Sequence, residues 1–281
     1  MTKNTKRAEL MMPMASLSGC ISSYIIRDTR GVALSDNERI NRFPASPLCA
    51  ITWVIKGQSL LMPSKYALPA ISFSGPQSKP IVSYNPNSVY AVSVGIYPEA
   101  LQLLSGIDIS KFQDITVPLE TVFSGVLLDI FRDAFRDAFS LEHKLIFERE
   151  LANLWQDQRR EDSKVQQMLQ DWLRILVVRA ATSGTGIGLR QIQRRLKYMT
   201  GQNQRDLSTY VRMEKLFSAW TQDRNDGKSS MAGIASDVGF SDQSHMGRDV
   251  KRIIGISPSI INKLIDTDES FWFYRLIGER Y

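Results

Sequence analysis

The chain repeats itself near its C-terminal end, and that repeat constrains the fold more than any other feature. QRRLKYMTG at 193–201 aligns with GRDVKRIIG at 247–255, fifty-four residues further on. Arg194, Lys197 and Gly201 recur as Arg248, Lys251 and Gly255. Ile192, Leu196 and Met199 have apolar counterparts in Met246, Val250 and Ile253. With about 3.6 residues per helical turn, each apolar trio falls on one side of a helix. The opposite side of the first copy carries Arg190, Arg194 and Lys197, flanked by Gln193. That of the second carries Ser244, Arg248 and Lys251, flanked by His245 and Gly247. One such helix reads as an ordinary solvated face. Two with the same inward and outward pattern point to a duplicated helical unit with a shared task.

The outward side chains suit a duplex. Arginine can bind guanine bidentately, glutamine can pair with adenine, and lysine neutralises phosphate. Between 188 and 215 seven Lys or Arg residues face two acidic ones, so the excess behind the net charge of +6 is concentrated beside the first copy. The run before the second copy, MAGIASDVGFSDQSHMGRDVK, reads as a short helix through Ile234, Ala235 and Val238, a break at Gly239 and a new helix capped by Ser241. This is the order of a helix-turn-helix.

At this point the sequence resembles a family. Ala235, Gly239, Phe240, Ser241, Gln243, Ser244, Arg248, Lys251, Gly255, Ser257 and Pro258 match the second helix-turn-helix of the AraC/XylS regulators. LRQIQRRLKYMTGQN resembles the first reading helix of that family and the turn after it. The resemblance implies that Arg190, Gln193 and Arg194 read bases in one major groove. Gln243, Ser244, His245 and Arg248 would read the next, with Lys197 and Lys251 on phosphates. Leu207, Tyr210, Met213, Leu216, Phe217 and Trp220 mark a helix between the units. Over 206–222 it would be roughly 25 Å long, enough to space two readers about one DNA turn apart. Leu196 and Val250 stand where the family usually has phenylalanine, and the turn SGTGIG at 183–188 is looser than usual. Asp249 would repel phosphate unless a neighbour such as Arg252 pairs with it, and Gly247 should weaken its helix by about 1 kcal/mol against alanine.

Upstream the texture changes. Residues 1–117 are punctuated by prolines between short β-prone runs, Leu48–Ile55, Ile81–Tyr84 and Val89–Ile96 among them. The class expected is α+β: a β-rich sensor domain over 1–117, a helical connector over 118–164, a DNA-binding domain over 165–266 and a tail over 267–281. In the connector, apolar residues from Leu119 to Phe139 recur as the stripe of one long helix, packing on its own domain or on a second copy in a homodimer. A further helix is expected over Val165–Ala181. SVGIYPEALQLLSGIDISKFQDITVPLE, at 93–120, resembles a stretch in the sensor halves of one subgroup of the family. Such domains bind a small-molecule effector, dimerise, or both. Trp53, Tyr84, Tyr90 and Tyr97 could line a cavity but are read as core, and Arg27, Arg42 and Lys56 could meet an anion but are read as solvated surface. The tail, DESFWFYRLIGERY, is apolar enough to pack back onto the protein.

The remaining classes fare worse. Cys20 and Cys49 form no CxxC and have only two histidines for company in the chain, so both thiols are expected reduced and buried, with no metal site or cofactor implied. The cysteine alkyl-acceptor repair enzymes that share such a reader are disfavoured on the same ground, and no nucleophile set or phosphate-cradling loop appears. A non-enzyme acting on promoter or operator DNA in the cytoplasm is expected, touching RNA polymerase if it activates. The rival is a helix-turn-helix module that binds protein and has lost its operator.

Overall fold

The computed structural model describes residues 7–158, 169–182, 189–225 and 238–278. Its N-terminal part holds two antiparallel sheets. The larger is ordered β1 (Ala8–Met11), β2 (Ile21–Asp28), β9 (Tyr90–Ile96), β4 (Cys49–Lys56), β7 (Ile71–Ser74) and β10 (Thr116–Pro118). The smaller is ordered β3 (Ile40–Phe43), β8 (Ile81–Tyr84), β5 (Leu60–Leu61) and β6 (Tyr66–Ala67). The three sequence-read strands are β4, β8 and β9, each within a residue or two.

Alternation along the larger sheet separates two environments. On β9, Val92, Val94 and Ile96 enter the core, while Ala91, Ser93 and Gly95 turn to a cavity on the other face. β4 does the same with Ile51 and Trp53 against Ala50, Thr52 and Val54. Small residues on one face leave room there; large ones on the other pack against helices. Those helices are α1 (Pro98–Ser105), α2 (Gly125–Asp133) and α3 (Leu141–Gln158). Trp53 is the wedge: its ring meets Phe135 edge-on at 5.0 Å, and its indole N–H donates to the Phe131 carbonyl at 2.8 Å. Tyr90 and Tyr97 are buried with it, so three of the four aromatics read as core are core. Cys20 and Cys49 are free thiols in the same core, and burial pushes both well above the usual thiol range.

The apolar stripe from Leu119 to Phe139 is not one helix. A 3-10 turn covers Leu119–Thr121, α2 starts only at Gly125, and the chain leaves the helix after Asp133. The break lets Phe135 drop between Trp53, Tyr24 and Phe147, a place a straight helix would not reach. Ser140 then starts α3, its hydroxyl accepting from the His143 N–H at 3.1 Å. Phe123, Phe131 and Phe135 are all buried against their own domain, whereas Val126 of the same stripe is exposed.

The C-terminal part is helical: α4 (Leu169–Thr182), α5 (Leu189–Thr200), α6 (Gln204–Asn225), α7 (Gln243–Ile254), α8 (Pro258–Leu264) and α9 (Trp272–Gly278). The expected start of the helix at Val165 and the turn at 183–188 lie outside the described residues. Trp172 and Leu176 of α4, Leu196 of α5 and Leu207 of α6 join the first core. A second core gathers Met213, Leu216 and Phe217 of α6, Val250 and Ile253 of α7, and Phe271 and Tyr274 of the tail. Among the described residues no helix is long and apolar enough to cross a membrane.

Candidate nucleic-acid interface

The two repeat copies become α5 and α7. Leu196 and Val250 are fully buried at equivalent places, smaller than phenylalanine but filling the same role. Both helices end alike. Gly201 (φ +73°) and Gly255 (φ +89°) take the left-handed conformation, and their N–H groups donate back to the carbonyls of Lys197 and Lys251 at 2.8 and 2.9 Å. Only glycine adopts that backbone without strain, which is why the repeat preserves it.

Arg190, Gln193, Arg194 and Lys197 are exposed on α5, and Gln243, Ser244, Arg248 and Lys251 on α7. His245 is the exception. Its Nδ1 lies 3.2 Å from the Ser241 hydroxyl, its Nε2 lies 3.5 Å from Asp249, and its ring meets Phe240 edge-on. None of Arg190, Arg194, Lys197, Arg248 and Lys251 forms an ion pair among the described residues. These five cations on two helix faces are thus free of ion pairs among the described residues, whereas the neighbouring Arg212 and Arg252 are committed.

Those committed pairs correct the sequence reading. Asp249 is paired not by Arg252 but by Arg212 of α6, at 2.9 Å, and Arg252 instead holds Asp206 at 3.0 Å. The Arg212 side chain comes from the linking helix across the α6–α7 contact, whereas Arg252 on the same helix points to the start of α6. Asp249 is thereby neutralised and ties α7 to α6. The helix cap differs too. Asp242, not Ser241, caps α7, its carboxylate accepting from the His245 N–H at 2.6 Å. A charged acceptor one residue nearer the helix outcompetes the hydroxyl, and Ser241 instead braces Asp242 at 3.2 Å. The His245 N–H holds the Asp242 carboxyl below its usual range. The sign follows: the cap contributes fully above the ordinary aspartate range and is lost as pH falls through the depressed value. Protection of the first-turn amides of α7, corrected for the intrinsic pH dependence of exchange, should therefore fall on acidification, and this fall should be absent in Asp242→Ala.

Gly239, which takes φ +90°, supplies the break before α7 as the sequence suggested; Ile234 and Ala235 lie outside the described residues. α6 is longer than expected, 22 residues and so roughly 33 Å. At Gly247 an added Cβ would meet nothing within 4 Å. Gly247→Ala is accordingly expected to stabilise the protein by about 0.5–1 kcal/mol, read as a higher urea midpoint.

Residues 182–263 match the family described as a helix-turn-helix domain. This stretch is an AraC-type helix-turn-helix domain. The protein is accordingly a DNA-binding transcription regulator. No curated protein matches the sequence. Among solved structures the chain is similar to ToxT from Vibrio cholerae strain SCE256 with bound unsaturated fatty acid, at 14% identity and a TM-score of 0.36, covering 94% of this chain and 97% of that one. It is also similar to ToxT from Vibrio cholerae O395 bound to (E)-4-(8-methylnaphthalen-1-yl)but-3-enoic acid, at 11% identity and a TM-score of 0.38, covering 92% and 100%. The AraC-like transcriptional activator CuxR follows at 14% and 0.29, covering 70% of this chain and 73% of its own.

One buried charge departs from the sequence reading. Arg27, read as surface, is buried, and its Nη1 lies 3.0 Å from Glu269 of the tail. It sits on the cavity face of β2, where alternation alone suggests solvent. The C-terminal part covers that face, and the partner is 242 residues away.

Proposed function

We propose that the protein is a sequence-specific regulator that seats α5 in one major groove and α7 in the next, under the control of a small molecule held between its two parts. Arg190, Gln193, Arg194, Gln243, Ser244, His245 and Arg248 read bases, and Lys197 and Lys251 hold phosphates. The observation that carries this reading is the pair of exposed cationic faces, free of ion pairs among the described residues, on two helices with the same closing glycine and the same buried side. Exposed cations not tied up in ion pairs are suited to an external polyanion. Selection of duplexes from a random pool by the full chain tests it. A consensus with two half-sites about one helical turn apart is the expected result. No enrichment, with or without cell extract as a source of effector, overturns it and favours the protein-binding module.

The control rests on the cavity of about 350 Å³ beneath the larger sheet. Its floor is the small-residue face of β9 and β4, and its roof includes Met213 and Phe217 of α6 and Trp272 of α9. The wall is mostly apolar, but Arg27 enters it with Nε and Nη2 buried and unpartnered. Those two nitrogens form one bidentate edge of the guanidinium, which suits a carboxylate. An amphipathic acid fits: apolar body along the sheet, acid on Arg27. Straight-chain carboxylates should raise the thermal midpoint of the full chain and the matching alcohols should not. Equal effects of acid and alcohol, or none from either, would remove the acid from the proposal.

A further inference from the structure

The tail belongs to the second reading unit on one side and to the sensor domain on the other. Phe271 and Tyr274 lie in the second core, beside Phe217 and Ile265. The indole N–H of Trp272 donates to Asn41 of β3 at 2.8 Å, and Phe43 meets the rings of Trp272 and Phe273 edge-on at 5.8 and 5.2 Å. Glu269 gathers three arginines: Arg275 of the tail at 2.7 Å, and Arg27 and Arg7 of the sensor at 3.0 and 3.7 Å. The Arg27 guanidinium also lies over the Trp272 ring, 4.6 Å from its centre. Two more bonds cross nearby. The Ala45 N–H donates to the Ile253 carbonyl at the end of α7 at 2.7 Å, and the Tyr210 hydroxyl of α6 donates to the Gln77 carbonyl at 3.0 Å.

The first unit is anchored elsewhere on the same domain. An added Cβ on Gly201, at the end of α5, would lie 3.4 Å from the Ile109 carbonyl in the 3-10 turn Ile109–Phe112. Ile192 and Met199 of α5 pack on the first core. The readers are therefore joined twice, once through α6 and once through the sensor domain.

We infer that the sensor domain, through a clasp made by Glu269 and Tyr210, fixes the position of α7 relative to α5 and so sets the half-site spacing the protein accepts. Glu269 and Tyr210 are positioning residues that touch no DNA. α6 alone leaves the second unit free to twist and bend about one connection. A second, buried and charge-bonded connection removes that freedom. The inference rests on the two-groove reading above.

The test uses the selected duplex, the same duplex with about half a helical turn inserted between half-sites, and a single half-site. For the wild-type chain the insertion should cost about 100-fold or more, because a rigid pair that cannot engage both sites loses the whole effective-concentration gain. Glu269→Gln and Tyr210→Phe should keep wild-type affinity for the half-site, lose about tenfold on the selected duplex, and shrink the insertion penalty to about fivefold. A merely structural loss would lower half-site binding too and leave the ratio unmoved. An unchanged penalty in both variants overturns the inference, as does a wild-type chain indifferent to spacing. Loss of half-site binding by both variants overturns it as well, since these side chains would then maintain the reader's own fold. Failure to select any duplex is a different result and strikes the two-groove reading instead.

Discussion

Replacing Lys144 with methionine is expected to remove about 3–5 kcal/mol of stability, read as a large fall in the urea midpoint followed by tryptophan fluorescence. The reason is Glu148, whose side chain is completely buried in the first core. Its two oxygens each lie 3.0 Å from the Lys144 ammonium. Oε1 also accepts from the Tyr24 hydroxyl at 3.1 Å and from the Met14 N–H at 3.0 Å. Two neutral donors do not compensate a buried carboxylate once its cation is gone, and methionine fills the lysine stem without supplying charge. The companion Lys144→Met, Glu148→Gln separates charge from packing. Glutamine keeps an acceptor for Tyr24 and Met14 while removing the charge, so the double variant should recover more than half of the loss. A single variant no worse than a surface substitution, about 0.5 kcal/mol, would show that the pair is not the core's electrostatic anchor.

That pair also marks how far the sequence could be read. Lys144 and Glu148 are spaced four apart, a spacing equally suited to a pair on an exposed helix face, but Glu148 is reached by Tyr24 of β2 and by Met14, both more than a hundred residues away. The C-terminal reader was legible because its signals are local. The apolar trio, the opposite cationic face and the closing glycine of each copy all lie within one helix and its cap. The strands β4 and β9 were legible for the same reason. What failed was either a competition between neighbours or a contact between distant parts. Ser241 and Asp242 are both good caps, and only the backbone path decides between them. The stripe from Leu119 to Phe139 keeps helical spacing across its break, since periodicity records which residues are buried and not whether one rod buries them. Arg27 alternates outward on β2 and was assigned to solvent; nothing local reveals that Trp272 covers it. The apolar tail was rightly expected to fold back, but its docking site is a property of the other end of the chain.

Arg248→Ala is expected to weaken binding to the selected duplex by about 1–3 kcal/mol, roughly 5- to 150-fold, and to relax preference at one base position. Arg248 lies in the second turn of α7, where a reading helix approaches base edges, and it is exposed and forms no ion pair among the described residues. Lys251 lies one turn further on, in the last turn, where the proposed docking would bring it to the phosphate backbone. Lys251→Ala should therefore weaken all duplexes alike and lower the slope of log affinity against log salt by about one, with the consensus unchanged. The contrast carries more weight than either number, because a general loss of fold would lower both affinities without separating base preference from salt dependence. Arg212→Ala supplies the third arm. It frees Asp249 on the same helix while removing no exposed cation from the reading face, so it should cost affinity on every sequence and leave both the consensus and Arg248's base preference intact. If Arg248→Ala instead altered only the salt slope, Arg248 would belong with the phosphate contacts, and the reading of α7 would fall to Gln243 and Ser244 in its first turn.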